Sequence, residues 1–281
     1  MVNPDSSVWI EEDGATQLLP GIRFADGALL TGLEVIANRF GKKLDAYSPI
    51  LNLRLPDGSR LAATIPPIVH PQPLVTIRKF TSRNFSMDDL IERKMLTMEQ
   101  AAVLTYAVRR GDNLLVSGGT STGKTTLLNV LADAIPNNER ILIIEDTAEL
   151  HIRKPHVVSA EAQLDTHKNQ IGFADLLKAA LRHRPDRIIL GEIRGAEART
   201  LLDAMNTGHR GTLATIHASS AQGALLRLRT LLMRGTSSLL PAEADAEIRT
   251  SIHCVIHIDR KDGNRHVQEI LEVASELPPR Q

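Results

Sequence analysis

Leu114-Leu115-Val116-Ser117-Gly118-Gly119-Thr120-Ser121-Thr122-Gly123-Lys124-Thr125-Thr126 is the stretch that decides the fold. Residues 118–125 satisfy GxxxxGK[ST], and they sit between an apolar strand-like run and the helical run 126–134, the context such a phosphate-binding loop (P-loop) requires. Gly118, Gly119 and Gly123 let the backbone of the loop, with Thr120, Ser121 and Thr122, wrap a phosphate with its N–H groups. The following helix, opening at Thr125-Thr126, adds a favourable dipole. Lys124 is expected to reach the β- and γ-phosphates, and the Thr125 hydroxyl to hold Mg2+. The ligand so implied is ATP with magnesium.

Outward from the loop, short apolar runs at 113–117, 140–145, 187–190 and 212–216 alternate with helical patterns. Such runs are what a parallel sheet covered on both faces needs, so this part of the chain reads as α/β. Residues 252–258 and 266–273 read as a β-pair around Asp262-Gly263. Upstream, 8–11 and 51–55 alternate, Asp26-Gly27 and Asp57-Gly58 are turn pairs, and 31–40 carries helical spacing, which describes a small α+β module. Prolines 66, 67, 71 and 73 then favour extended backbone. Ser86 with Asp89 and Thr97 with Gln100 are capping boxes that open helices. The expected organisation is an N-terminal domain over residues 1–65, a linker over 66–85 and an ATP-binding domain over 86–281.

The whole chain sets limits on partners. Its 281 residues carry 33 Lys+Arg against 33 Asp+Glu, so no net positive field is available to hold a nucleic acid. A single cysteine, Cys254, excludes an intramolecular disulfide and suits a reducing compartment. The start is polar and acidic, unlike a secretory signal, and no run approaches the roughly 20 apolar residues of a membrane span. Any membrane role is expected to be peripheral.

Hydrolysis requires acids beside the loop. The run Ile141-Leu142-Ile143-Ile144 ends in Glu145-Asp146, with Glu149 one turn later, and Ile188-Ile189-Leu190 ends in Gly191-Glu192. Ligands of open α/β sheets bind beyond the carboxyl ends of the strands, so both acid groups can face one nucleotide. Gly191 stands where an aspartate is often found.

Together these stretches resemble the secretion or traffic ATPases, the family that drives type IV secretion, conjugal transfer and type II or type IV pilus assembly. The resemblance spans nearly the whole chain and rests on four motifs. They are the loop; Ile144-Glu145-Asp146-Thr147-Ala148-Glu149-Leu150; Arg184-Pro185-Asp186-Arg187-Ile188-Ile189-Leu190-Gly191-Glu192-Ile193-Arg194; and Gly208-His209-Arg210-Gly211-Thr212-Leu213-Ala214-Thr215-Ile216-His217-Ala218. The ending Val267-Gln268-Glu269-Ile270-Leu271-Glu272-Val273 resembles the conjugal-transfer branch, with tight-adherence pilus ATPases as near cousins.

The resemblance implies a homo-hexameric ring whose subunits join an N-terminal domain to a RecA-like ATPase domain. The ring would be cytoplasmic, peripheral at the inner membrane and docked on components of a secretion or pilus machine there. By match to the motifs, Glu192 would be the catalytic carboxylate and Glu149 a second acid on magnesium or water. His217 would sense the γ-phosphate, Arg194 would help position Glu192, and Arg78 and Arg83 would reach the nucleotide from the N-terminal side. Arg182 and Arg184 could serve a neighbouring site or pair with surface acids. Two departures stand out. Ser121 occupies a commonly glycine position, which strains it if positive φ is needed, and residues 1–5 resemble an internal strand-turn of longer relatives.

The alternative reading is a RecA-like nucleic-acid translocase. That activity wants a basic groove and stacking aromatics, yet aromatics are 3% of the chain and charge is balanced, so no direct nucleic-acid contact is expected. A non-hydrolysing switch and a small-molecule kinase are further possibilities. His253 and His257 share a strand face but lack a third ligand at zinc spacing. Leu225, Leu228, Leu231 and Leu232 form a stripe suited to core or subunit packing.

Overall fold

A computed structural model describes residues 1–12, 15–79, 85–163, 170–234, 239–261 and 263–273. The chain divides into two compact units, Met1–Ser82 and Arg83–Gln281. In the first, β1 (Trp9–Glu12) and β2 (Ala15–Leu18) form an antiparallel ribbon. Helix α1 (Ala28–Arg39) follows Gly27, whose φ of 74° is the left-handed turn that the Asp26-Gly27 pair predicted. Strands β3 (Ile50–Arg54), β4 (Arg60–Thr64) and β5 (Leu74–Arg78) make an antiparallel sheet in that order. Alternation along β3 buries Leu51 and Leu53, which join Leu33 and Ala37 of α1 in one core. Residues 74–78, which the prolines assigned to the connection, are thus a strand paired with β4. Pro73 stands before the strand rather than within it, where a missing N–H costs no ladder bond.

The second unit begins with α2 (Met87–Glu92) and α3 (Met98–Arg110). Both expected capping boxes are made: the Ser86 hydroxyl accepts from the Asp89 N–H and that of Thr97 from the Gln100 N–H. There follow β6 (Leu114–Gly118), α4 (Lys124–Ala132), β7 (Ile141–Glu145), β8 (Val157–Glu161) and α5 (Phe173–Ala180). Next come β9 (Arg187–Leu190), α6 (Glu197–Asn206), β10 (Leu213–His217), α7 (Ala221–Arg234) and α8 (Pro241–Ser251). A hairpin of β11 (Cys254–Lys261) and β12 (Asn264–Glu272) closes the described chain. The seven strands are ordered β12-β11-β6-β10-β9-β7-β8, parallel throughout except for β12.

The central strands are buried on both faces, and each alternates between two cores. Leu115, Leu142, Ile188 and Ile216 face one with α5, α6, α7 and α8; Leu114, Val116, Ile143 and Ile189 face the other with α2, α3 and α4. Each fully buried Leu or Ile contributes about 1.5–3 kcal/mol, so the sheet is the rigid part of this unit. Leu228, Leu231 and Leu232 of the expected stripe lie in the first of these cores. Strand β8 had no counterpart in the sequence reading. Among the described residues it is an edge strand bonded on one side only, to β7, so it needs little apolar surface.

Candidate nucleotide site

The loop runs from the last residue of β6, Gly118, to the first of α4, Lys124. A Cβ at Gly118 would lie 2.5 Å from the Ile258 carbonyl oxygen and 2.6 Å from Thr122 Oγ1, so the loop closes against β11 only because nothing projects there. Gly119, Thr120 and Ser121 are exposed, Thr122 is buried, and Thr125 and Thr126 are half-buried in the first turn of α4. Ser121 does adopt positive φ, at 59°. The strain foreseen for a serine there is present and amounts to about 1–2 kcal/mol.

Lys124 is only 8% exposed. Its Nζ donates to the carbonyls of Gly118 at 3.1 Å and Gly119 at 2.6 Å, and lies 3.4 Å from His217 Nδ1. Burial holds its pKa below the ordinary value, with the Glu192 charge working against that shift.

Sheet order places the acids. β10 lies between β6 and β9, pairing His217 with Gly118 and Ala214 with Leu190. The turn after β9 is tied on both sides. The Gly191 N–H donates to Ile144 O at 2.8 Å, Thr215 Oγ1 donates to Gly191 O at 2.5 Å, and the Ile193 N–H donates to Thr215 O at 2.8 Å. Glu192 therefore has a fixed backbone. Its Oε2 accepts from Arg194 Nη2 at 2.6 Å, and its Oε1 is 3.5 Å from His217 Nε2. Arg194 also donates to Asp146 at 3.0 Å, and its pKa is raised, first by the bond to Glu192 and then by the Asp146 charge. Burial, then the Lys124 charge, holds the His217 imidazole below its usual pKa, with Glu192 opposing.

The acids of the 145–149 box diverge. Thr125 Oγ1 donates to Glu149 Oε2 at 3.5 Å, and Asp146 pairs with Arg194. Glu145 is buried, and its Oε1 accepts the N–H groups of Glu149 at 2.9 Å and Leu150 at 3.0 Å. Burial pushes its pKa up to about 7, against the pull of those two bonds. Among the described residues no group of three or more His, Cys, Asp or Glu could hold a metal. Magnesium at a nucleotide is bound by one or two protein oxygens plus phosphates and water, so the adjoining Thr125 hydroxyl and Glu149 carboxylate fit that donor set.

The sequence-predicted Lys124, Thr125, Glu149, Glu192, Arg194 and His217 thus stand together at one end of the sheet. Arg78 lies in the first unit, exposed on β5, and Arg83 falls outside the described residues. Sequence reasoning missed Thr215, which holds the turn, and Glu197, whose carboxylate accepts from the N–H groups of Arg194 and Gly195. An acid three residues after Arg194, opening a helix, was the available signal for the latter. The weighed histidines make ordinary bonds: His253 Nδ1 accepts the Asn113 N–H at 3.0 Å, and His257 Nδ1 lies 2.9 Å from Ser117 Oγ.

Comparison with known proteins agrees with this fold. The conjugal transfer protein TrbB of Rhizobium radiobacter is 35% identical over 277 residues, covering 97% of this chain and 82% of that one. The type IV secretion system protein VirB11 of Bartonella quintana is 33% identical over 276 residues, covering 84% of this chain and 77% of its own. Among solved structures, the VirB11 ATPase of Brucella suis superposes with a TM-score of 0.57 at 26% identity, covering 96% of this chain and 90% of that one. The pilus retraction motor PilT has the same fold, with a TM-score of 0.70 at 19% identity over 95% of this chain and 76% of its own. The family described as Type II/IV secretion system protein matches residues 1–275, and the chain belongs to it.

Proposed function

We propose that this chain is the Mg2+-dependent ATPase subunit of a motor that powers a type IV secretion, conjugation or related pilus-assembly machine. The observation that carries the reading is the line from Lys124 Nζ through His217 to Glu192, with contacts of 3.4 and 3.5 Å, at the end of a parallel sheet where a phosphate loop opens. Family membership and the VirB11 likeness support it.

In this reading the loop N–H groups take the phosphates, and Lys124 exchanges the Gly118 and Gly119 carbonyls for phosphate oxygens. Glu192 orients a water and accepts its proton, while Arg194 fixes which carboxylate oxygen remains for that task. His217 touches both Lys124 and Glu192, so it couples the occupied loop to the acid. Magnesium, when bound, supplies charge neutralisation on the phosphate oxygens, and Thr125 and Glu149 would hold it. The proposal extends to two units per subunit acting in a homo-hexameric ring. No helix among the described residues is long and apolar enough to cross a membrane. The contact proposed with the inner membrane is a peripheral one from the cytoplasm.

The test is phosphate release by the purified full chain with ATP and magnesium, beside Lys124→Ala, with light scattering to size the particle. Turnover that Lys124→Ala abolishes, on a six-subunit particle, is the expected result. Turnover no greater than that of the variant removes the ATPase reading. Stimulation by single-stranded DNA that collapses with salt would favour the translocase instead.

A further inference from the structure

Glu145 closes β7 but turns into the protein. It is 3% exposed, one oxygen takes both the Glu149 and Leu150 N–H groups, and the other is buried with no hydrogen bond among the described residues. Beside it is Gly191, where a Cβ would come within 3.1 Å of Glu145 Cγ and 3.5 Å of the Ile144 carbonyl oxygen. Any side chain at 191 would therefore compete with Glu145 for the same space. The neighbouring strand β9, whose Leu190 pairs with Ile144, is thus followed by a residue that leaves room for an acid from β7.

We infer that Glu145 is a positioning residue: its carboxyl oxygen is the anchor on which the 146–150 segment turns, setting Glu149 against Thr125, and the bare Gly191 exists to accommodate it. Two N–H groups converging on one oxygen, four and five residues on, fold the segment back over the strand end. That turn carries the Glu149 carboxylate to within 3.5 Å of the Thr125 hydroxyl. Acceptance is the working property, and an amide oxygen at 145 serves it as a carboxyl oxygen does. The absence of an aspartate before Glu192 follows, since its side chain would occupy the anchor's place. The inference rests on the reading of Thr125 and Glu149 as magnesium ligands for its functional arm alone.

The test uses the full chain as Glu145→Gln, Glu145→Ala and Gly191→Ala. Two quantities are measured: amide hydrogen exchange at Glu149 and Leu150 without nucleotide, and the gain in affinity for a non-hydrolysable ATP analogue when magnesium replaces EDTA. Loss of a residue that orients a metal ligand costs about 10–100-fold in metal affinity. Glu145→Ala should therefore speed exchange at both amides and cut the magnesium-dependent gain about tenfold, leaving affinity in EDTA within about twofold. Glu145→Gln should retain both properties, and Gly191→Ala should move both in the direction of Glu145→Ala.

Unchanged exchange and an unchanged gain in Glu145→Ala overturn the inference. So does a Glu145→Gln as impaired as Glu145→Ala, which would make the charge itself the active property. If Glu145→Ala does not fold, Gly191→Ala decides by the same two readings, and normal values there overturn it. A wild-type chain that gains nothing from magnesium sinks the metal reading, while the exchange measurement still judges the anchor.

Discussion

Replacing Glu192 by Gln isolates the charge of the acid from its position. The two side chains have nearly the same volume, and the turn that carries Glu192 is held by three backbone-directed bonds that the substitution does not touch. A glutamine oxygen can still accept from Arg194 Nη2, so the carbonyl stays where the carboxylate was. A hydrogen bond to a charged partner is worth about 1.5–3 kcal/mol and a neutral one about 1 kcal/mol. Because the Arg194 side chain is 49% exposed and also pairs with Asp146, water screens that difference, and the net stability loss should stay below about 1 kcal/mol.

Turnover should respond quite differently. A positioned general base contributes about 10²–10⁴-fold, or roughly 2.7–5.4 kcal/mol of activation free energy at 1.36 kcal/mol per decade. The expected pattern is a fall in kcat by at least about 100-fold with a melting shift of no more than about 4 °C. ATP affinity should remain within about threefold, a change of less than 1 kcal/mol. Phosphate release under saturating ATP, a fluorescent-nucleotide titration and a thermal melt supply the three numbers. A kcat within about tenfold of the parent refutes the role given to Glu192, and so does a loss confined to nucleotide affinity.

Ser121→Gly relieves a left-handed serine at about 1–2 kcal/mol but adds about 0.4–1 kcal/mol of unfolded-state entropy, so denaturant unfolding should show a small net gain; a loss would contradict the strain. Gly211→Ala would drive a Cβ into the guanidinium of the buried Arg187, at a φ of 76°, and should cost about 3 kcal/mol or more. A change under about 1 kcal/mol in a urea titration would show that Arg187 is free to move aside. Cys254, its thiol pushed up to about 12 by burial and then by the Glu272 and Asp112 charges, should resist a thiol-reactive disulfide reagent at neutral pH until the chain is unfolded. Rapid labelling of the native protein would place that thiol outside the core.

The loop, the strand before it and the helix after it were legible because glycines, the GxxxxGK[ST] spacing and apolar runs all point the same way. Both capping boxes were legible for a similar local reason. Strand β8 was not: Val157-Val158-Ser159-Ala160-Glu161 is held by one neighbour and shows neither alternation nor a continuous apolar run. Strand β5 carried a clear β-branched run, yet the prolines before it outweighed that signal. For the site, Glu192 could be named because it follows an apolar strand, whereas Arg194 and His217 were named only through the resemblance of their motifs to the secretion ATPases. The separate destinations of Glu145, Asp146 and Glu149 could not be named. Three acids within five residues are equivalent on paper, and only the N–H groups of 149 and 150, turning back on Glu145, assign one of them to the interior.

The order β6-β10-β9 has a mechanical consequence. Neighbouring strands stand about 4.8 Å apart, so the strand that ends at the grip and the strand that ends at the acid lie roughly 10 Å apart, with the His217 strand as the spacer. That gauge is cut in backbone hydrogen bonds, and no side-chain rotation widens it. The sheet therefore behaves as an anvil rather than a spring: nucleotide chemistry can strike against it, but travel has to be taken up by the segments that leave its edge.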